Sequence, residues 1–252
     1  MTQQEVTFRH LRSIEELEEM VNLLCEVWET DSPIDLTNVS TLRAEVAAEN
    51  YVVGIFGSDS RMIAAGYAIR GKGHIHSHIV GVHPKHQGHG YGYELKQHEA
   101  KWARDEDYPC IRWTYDPLVR RNAYFNLAKL TCTVQSYEKN FYGEVKDGLN
   151  DNDVTDRLMV EWRFGDGEPI EVDAPEEADS WDFRRRPTAL LRLSGDLALV
   201  PTPADIATLR RDDAARAREW RFGVRDGFIE AFDEGFTVSG FSPDGWYVLR
   251  RR

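Results

Sequence analysis

Two groups of residues in this 252-residue chain have types and spacing that could do chemistry. The first is Gln87-Gly88-His89-Gly90-Tyr91-Gly92, directly after the apolar run Ile79-Val80-Gly81-Val82 and His83-Pro84. A strand that stops in a glycine-rich turn and passes into a helix leaves N–H groups unpaired at the helix N-terminus, where the peptide dipoles also favour negative charge. Such a turn can cradle a phosphate, and its glycines let a pyrophosphate touch the main chain without meeting a Cβ. The spacing is not that of a P-loop, because no Lys-Ser or Lys-Thr follows. Nor is it the G-x-G-x-x-G of a dinucleotide turn. The second group is His74, His76 and His78, which alternate and so project from one face of a strand. An imidazole titrates near neutrality and can take a proton from an amine, which makes His76 and His78 candidate bases. Metal chemistry is not expected, because a ligand set normally brings open geometry and supporting partners.

The elements that must position these residues follow from pattern. Val6 to Leu11 alternates as a strand. Ser13-Ile14-Glu15-Glu16 is a capping box, after which Ile14, Leu17, Met20, Val21, Leu24 and Trp28 recur at helical spacing. A second helix is expected over Leu42 to Ala48. Tyr51 to Phe56 and Met62 to Arg70 flank Gly57-Ser58-Asp59-Ser60 as a hairpin, and Gly71-Lys72-Gly73 turns into a strand from His74 to Val82. A helix from Tyr93 to Arg104, a strand Cys110 to Tyr115 and a helix Val119 to Leu130 come next. Thr133 to Tyr137 and Leu158 to Phe164 then pair as a hairpin.

From Gly165 the chain turns acidic and proline-containing, which reads as an exposed connection. Beyond it, Leu190 to Val200 reads as one or two strands, Ala204 to Glu234 as helix, and Phe236 to Phe241 with Trp246 to Arg250 as a hairpin. Domains are therefore expected at 1–165 and 166–252. Tyr124–Tyr137 can be laid on Phe228–Phe241, with Thr133-Val134 on Thr237-Val238. The alternatives for the tail are a simple α+β appendage and a degenerate half-copy of the main fold.

The net charge of −12 argues against nucleic acid or an anionic membrane as partner. Cys25, Cys110 and Cys132 are odd in number, lack ligand spacing and sit in apolar stretches, as free thiols in a reducing compartment do. The N-terminal residues have no apolar core for a signal peptide and no run reaches transmembrane length, so the expected location is cytoplasmic.

The order β-α-α-β-β-β-α-β-α-β-β, with V-x-V and a proline before Gln87-x-x-Gly90-x-Gly92, resembles the GNAT (Gcn5-related N-acetyltransferase) superfamily. His76-Ser77-His78, Val80-Gly81-Val82, Trp113-Thr114-Tyr115-Asp116-Pro117-Leu118, Arg121-Asn122-Ala123 and Asn140-Phe141-Tyr142-Gly143 are similar to one subgroup of its acyltransferases. The resemblance covers Thr7 to Phe164. It implies an α/β (α+β) fold, a mixed, mostly antiparallel sheet flanked by helices, here with a C-terminal α+β extension.

The resemblance also implies a cofactor and a reaction. Val80, Gly81 and Val82 would hold the pantetheine arm of acetyl-CoA or another acyl-CoA, and Gln87, Gly88, His89, Gly90, Tyr91 and Gly92 its pyrophosphate. Asn122 would contact the arm, and Lys85, Arg120 and Arg121 are candidates for the outer phosphates. The oxyanion would fall near the Val82 N–H, with a bulge expected at Gly81. Position 76 corresponds to the family's usual glutamate base. The family's thiolate-protonating tyrosine falls on Leu127, and its K-x-G string reads Lys129-Leu130-Thr131. Tyr124, Tyr137 or Tyr142 would have to substitute, unless the thiolate leaves unaided. The implied activity is direct N-acyl transfer, other than aminoacyl transfer, to a small amine or amino acid, without a metal. Succinyl-CoA as donor, and a non-catalytic CoA-binding module, are the alternatives. Monomer and homodimer both stay open.

Overall fold

The computed structural model describes residues 6–143, 153–164, 170 and 172–251. Two compact units divide it, the first holding the chain up to Trp113 and the second running from Thr114.

In the first unit β1 (Thr7–His10) is followed by α1 (Ile14–Val27) and α2 (Val39–Ala47). The capping box is present: Ser13 Oγ accepts from the Glu16 N–H at 3.2 Å while Glu16 Oε2 accepts from the Ser13 N–H at 3.2 Å. The second helix starts three residues earlier than expected because Asn38 caps it, accepting from the Thr41 N–H at 2.9 Å. β2 (Tyr51–Phe56), β3 (Met62–Arg70) and β4 (Ile75–Val82) form an antiparallel meander, and α3 (Tyr91–Asp105) leads to β5 (Ile111–Tyr115), which is entered in this unit and left in the second. Leu17, Met20, Leu24, Val52, Tyr67 and Ile79 belong to one core between α1 and the sheet.

In the second unit α4 (Arg120–Ala123) continues as a π-helical turn over Tyr124–Lys129, where an α-helix was expected throughout. β6 (Thr133–Glu138) and β7 (Arg157–Trp162) pair antiparallel. The tail supplies β8 (Leu191–Arg192), β9 (Leu197–Pro201), α5 (Ile206–Asp212), α6 (Ala214–Asp233), β10 (Phe236–Phe241) and β11 (Trp246–Arg251), its sheet ordered β10-β11-β9-β8.

The two hairpins of this unit share their irregularities. The β6–β7 register slips between Val134 and Ser136, and the β10–β11 register slips between Val238 and Gly240. Those pairs coincide when Thr133 is laid on Thr237. Thr133 Oγ1 donates to the Glu161 carbonyl at 3.4 Å, and Thr237 Oγ1 to the Arg250 carbonyl at 3.3 Å. Thr131 and Gly235, equivalent in the same alignment, both have positive φ, 55° and 83°.

Candidate acyl-CoA site

β4 carries the first set of candidates. It pairs with β3 along its length but with β5 only at Ile75–Ile111 and His76–Arg112 among the described residues. Beyond His76 no pairing of its far edge is found among the described residues. The His83 N–H donates to the Ile63 carbonyl at 2.9 Å, and an antiparallel ladder alternates bonded with non-bonded pairs. The main-chain groups of Val82, and of Val80 two residues back, then point away from β3. Gln87 Nε2 donates to the Val82 carbonyl at 3.2 Å, tying the glycine turn to that edge.

The turn itself is open. Gly88 and Gly90 have φ of 79° and 93°, and a Cβ on either would meet nothing within 4 Å. Gly90 is the N-cap of α3 and no side chain caps it, so N–H groups of the first turn stay available to an anion. Gly92 sits 3.7 Å, at its Cβ position, from Val82 Cγ2. His89 is exposed and its Nδ1 lies 2.9 Å from the Gln87 carbonyl oxygen, whereas Tyr91 is buried and packs beneath the turn. These residues suit a pyrophosphate group on grounds of space and donors alone.

The histidine row is shorter than expected. His74 lies in the turn before β4, its Nδ1 3.3 Å from the Lys72 carbonyl oxygen, which leaves His76 and His78 half-buried on the strand with ring centroids 6.0 Å apart. The register irregularity of β4 falls between Ser77 and Ile79, making His78 the extra residue; it does not fall at Gly81. Burial first, then His78, His74 and the ammonium of Lys96, pushes the His76 imidazole down to about 4. Burial also lowers His78. Neither ring is therefore a base matched to neutrality. Each is held neutral there, able to accept a proton but with modest driving force.

The second unit holds the remaining candidates. Tyr124 is half-buried in the π-helical turn, and Asn122 is half-buried on α4. Asn126, one helical turn further on, is buried. The Tyr142 hydroxyl lies 3.1 Å from Thr114 Oγ1, with the Arg157 guanidinium 5.4 Å from its ring centroid. The Tyr137 hydroxyl donates to Asp156 Oδ2 at 2.8 Å; burial and that carboxylate raise its pKa, so its proton is committed. Arg120 is bound to Asp179 at 3.0 Å and to Thr202 Oγ1 at 3.0 Å, which takes it from the list of phosphate ligands.

Sequence reasoning missed one cluster entirely. Asp116 accepts from Leu118 N–H at 2.9 Å in the turn before α4, but also from Arg221 Nη1 and Nη2 at 2.9 and 2.8 Å and from Arg210 Nη2 at 2.5 Å. Asp153 Oδ2 accepts from Arg221 Nε at 3.0 Å and Arg210 Nη2 at 3.1 Å. Burial alone would raise the Asp116 carboxyl, but Arg221 and Arg210 outweigh it and hold it well below the usual carboxylate range. No motif announces this, because partners about a hundred residues apart meet only through the fold.

The fold, a mixed and mostly antiparallel sheet flanked by helices with an open β4 edge leading into a glycine turn, is that of a GNAT N-acetyltransferase. Residues 15–125 match the Acetyltransferase (GNAT) family, whose members carry out acyl-CoA-dependent acetyl transfer. No curated protein matches the chain in sequence. Among solved structures it is similar to an N-acetyltransferase from Staphylococcus aureus Mu50, with a TM-score of 0.52, 10% identity, and coverage of 63% of this chain and 98% of that one. The Salmonella typhimurium protein yncA, solved with its cofactor acetyl-CoA, gives 0.51 at 14% identity over 67% and 99% of the two chains. The ribosomal-protein-S18-alanine N-acetyltransferase of Escherichia coli gives 0.50 at 12% identity over 67% and 100%. Among the described residues no cluster of His, Cys, Asp or Glu could hold a metal ion, and no helix is long and apolar enough to cross a membrane.

Proposed function

We propose that the chain transfers an acetyl group from acetyl-CoA directly to the amine of a small molecule or amino acid, as a cytoplasmic protein. The observation that carries this reading is the unpaired β4 edge at Val80–Val82 running into the uncapped Gly90 turn beside two neutral imidazoles. The main-chain groups of Val80 and Val82 bind the pantetheine as an added strand would, with Gly81 between them against the arm, and Gln87 to Gly92 bind the pyrophosphate. His76, or His78 beside it, receives the ammonium proton of the acceptor through water. The free amine then attacks the thioester carbonyl, the Val82 N–H meets the oxyanion, and as the C–S bond breaks the nitrogen sheds its second proton, which balances the proton taken up by the departing CoA thiolate. The family resemblance makes Tyr124 and Tyr142 the candidate acids for that thiolate, and Asn122 a candidate contact to the arm. A neutral imidazole offers a succinyl carboxylate a hydrogen bond but no charge, which favours acetyl over succinyl as the transferred group.

The test is continuous measurement of CoA thiol release with acetyl-CoA against amino acids, small polyamines and a peptide with an N-terminal alanine. Turnover with small amines, reduced in His76→Ala through kcat more than through KM for acetyl-CoA, is the expected result. Acceptance of the peptide alone would overturn the small-acceptor reading, and CoA binding without turnover would point to the non-catalytic module.

We also propose that residues 166–252 are an extension containing a degenerate second copy of the fold's C-terminal half. The shared register slip, the paired threonine hydrogen bonds and the matched positive φ support it. The strand order β9-β11-β10 adds to this, since it brings the last strand of the tail between the two before it.

A further inference from the structure

Ser77, Lys96 and Glu99 are buried together on the α3 side of β4. Lys96 Nζ donates to Ser77 Oγ at 2.6 Å and to Glu99 Oε2 at 3.1 Å, Ser77 Oγ donates to the same carboxylate oxygen at 3.1 Å, and the ammonium stands 3.9 Å from the centroid of the Trp113 ring. Glu99 Oε1 is buried without a hydrogen-bond partner. Replacing such a group by well-packed apolar side chains is commonly neutral or stabilising, so stability alone does not account for it.

Its place in the strand does. In a regular strand residues 77, 79 and 81 share a face. Here Ser77 is bonded to α3, while Ile79 lies in the core against α1 and the Gly81 Cβ position is 2.9 Å from Leu24 of α1. Val80, by contrast, lies beside Leu95 of α3, both 3.2 Å from the Gly66 Cβ position. The faces exchange at His78, the extra residue of the register slip. His76 and His78 share a side as alternate residues do, with the Tyr67 ring 5.1 Å from His78, and the slip puts Ile79 and Gly81 on the face opposite Ser77. A slip by one residue would send each side chain to the other face. Ser77 is the last residue before the slip, and its hydroxyl is the only polar group of β4 held from α3 among the described hydrogen bonds.

We infer that Ser77, Lys96 and Glu99 are positioning residues: they anchor the β4 bulge and thereby set the two imidazoles beside the Val80–Val82 edge. The inference rests on the proposed role of that edge and of His76. The charged and titratable groups facing His76 are His74 and His78 on its own strand, Lys96 from α3 and Arg112 opposite it on β5. Lys96 reaches the imidazole as a charge and the bulge as a hydrogen-bond donor, so the cluster acts on both the position and the protonation of the ring.

The experiment uses the full chain with Ser77→Ala, Ser77→Thr and, should the alanine variant fail to fold, Ser77→Cys, which is close in volume and a weak donor. Imidazole signals of selectively labelled histidine are followed by NMR from pH 3 to 8, alongside kcat and KM for acetyl-CoA. In the parent His76 is expected to be pushed down to about 4. With the hydroxyl removed, the His76 and His78 signals move, the His76 midpoint shifts with them, and kcat falls about tenfold with KM for acetyl-CoA unchanged; threonine restores all three. A folded variant whose His76 and His78 signals and midpoints coincide with those of the parent overturns the inference. The spectra read ring position without turnover: moved signals together with an inert His76→Ala would reject the base assignment and leave the anchoring intact.

Discussion

Arg221→Met should cost the protein most of its margin against unfolding. The Arg221 side chain is 0% exposed and holds two carboxylates, Asp116 through Nη1 and Nη2 and Asp153 through Nε and the same Nη2. Asp116, Asp153, Arg210 and Arg221 sum to zero charge. Methionine fills comparable space but leaves one buried negative charge, with Arg210 alone to bridge both acids. Removing one partner of a buried pair costs about 3–5 kcal/mol. For a chain of this length each kcal/mol lowers the unfolding midpoint by roughly 2–4 °C, so the fall should be about 6–20 °C at pH 7.

The pH dependence follows from the direction of the Asp116 shift. Its carboxyl is lower in the folded than in the unfolded protein, so its contribution is present above the unfolded pKa, near 4, and is lost as pH falls through the folded value. In Arg221→Met the main cause of the lowering is gone, Asp116 takes up a proton more readily, and the gap between variant and parent narrows as pH drops toward 4. Asp116→Asn combined with Arg221→Met restores neutrality, with Asp153 and Arg210 still paired, and should be more stable than Arg221→Met alone. Thermal unfolding of parent, single and double variants at pH 7 and pH 4 checks all of this. A midpoint change under about 2 °C at pH 7, or a double variant no more stable than the single, would refute the reasoning.

Gly90→Glu should uncouple the protein from CoA. A Cβ there meets nothing within 4 Å, so the folding cost is that of the left-handed backbone at φ 93°, about 1–2 kcal/mol, while the carboxylate would stand at the proposed pyrophosphate site. CoA at about 100 times its dissociation constant adds about 2.7 kcal/mol to the parent, roughly 5–11 °C, and an equal shift in the variant would remove the turn from the site. Thr131 and Gly235 give a reciprocal test of the repeated half. Thr131→Gly should raise the midpoint and Gly235→Thr lower it, each by about 1–2 kcal/mol in a urea titration, because both positions have positive φ and a Cβ at 235 meets nothing. Changes of the same sign would count against the equivalence.

The parts of the molecule readable from sequence are those fixed by neighbours in the chain. The capping box at Ser13, the hairpin around Gly57–Ser60, the glycine turn and the alternation of β4 are all decided within a few residues, and the element order followed from them. The irregularity of β4 was not readable at its true place. A glycine at 81 looks like the natural site for a bulge, but that glycine is required by Leu24 and Trp28, whose side chains come within 2.9 and 3.1 Å of its Cβ position. The bulge lies instead at His78, where the sequence has no turn residue, only a serine whose partners are 19 and 22 residues away on α3.

The same reason explains the chemistry that the sequence misjudged. Imidazole at neutrality is the default for a histidine met as a letter. His76 departs from it because burial and a lysine on another element act on it together. Asp116 likewise makes an ordinary turn contact with the Leu118 N–H, yet its charge is set by two arginines more than ninety residues further on. A motif names the groups able to react. Their protonation and aim are set by side chains that the fold alone brings near, and here those are Lys96 beneath the histidines and Arg221 against Asp116.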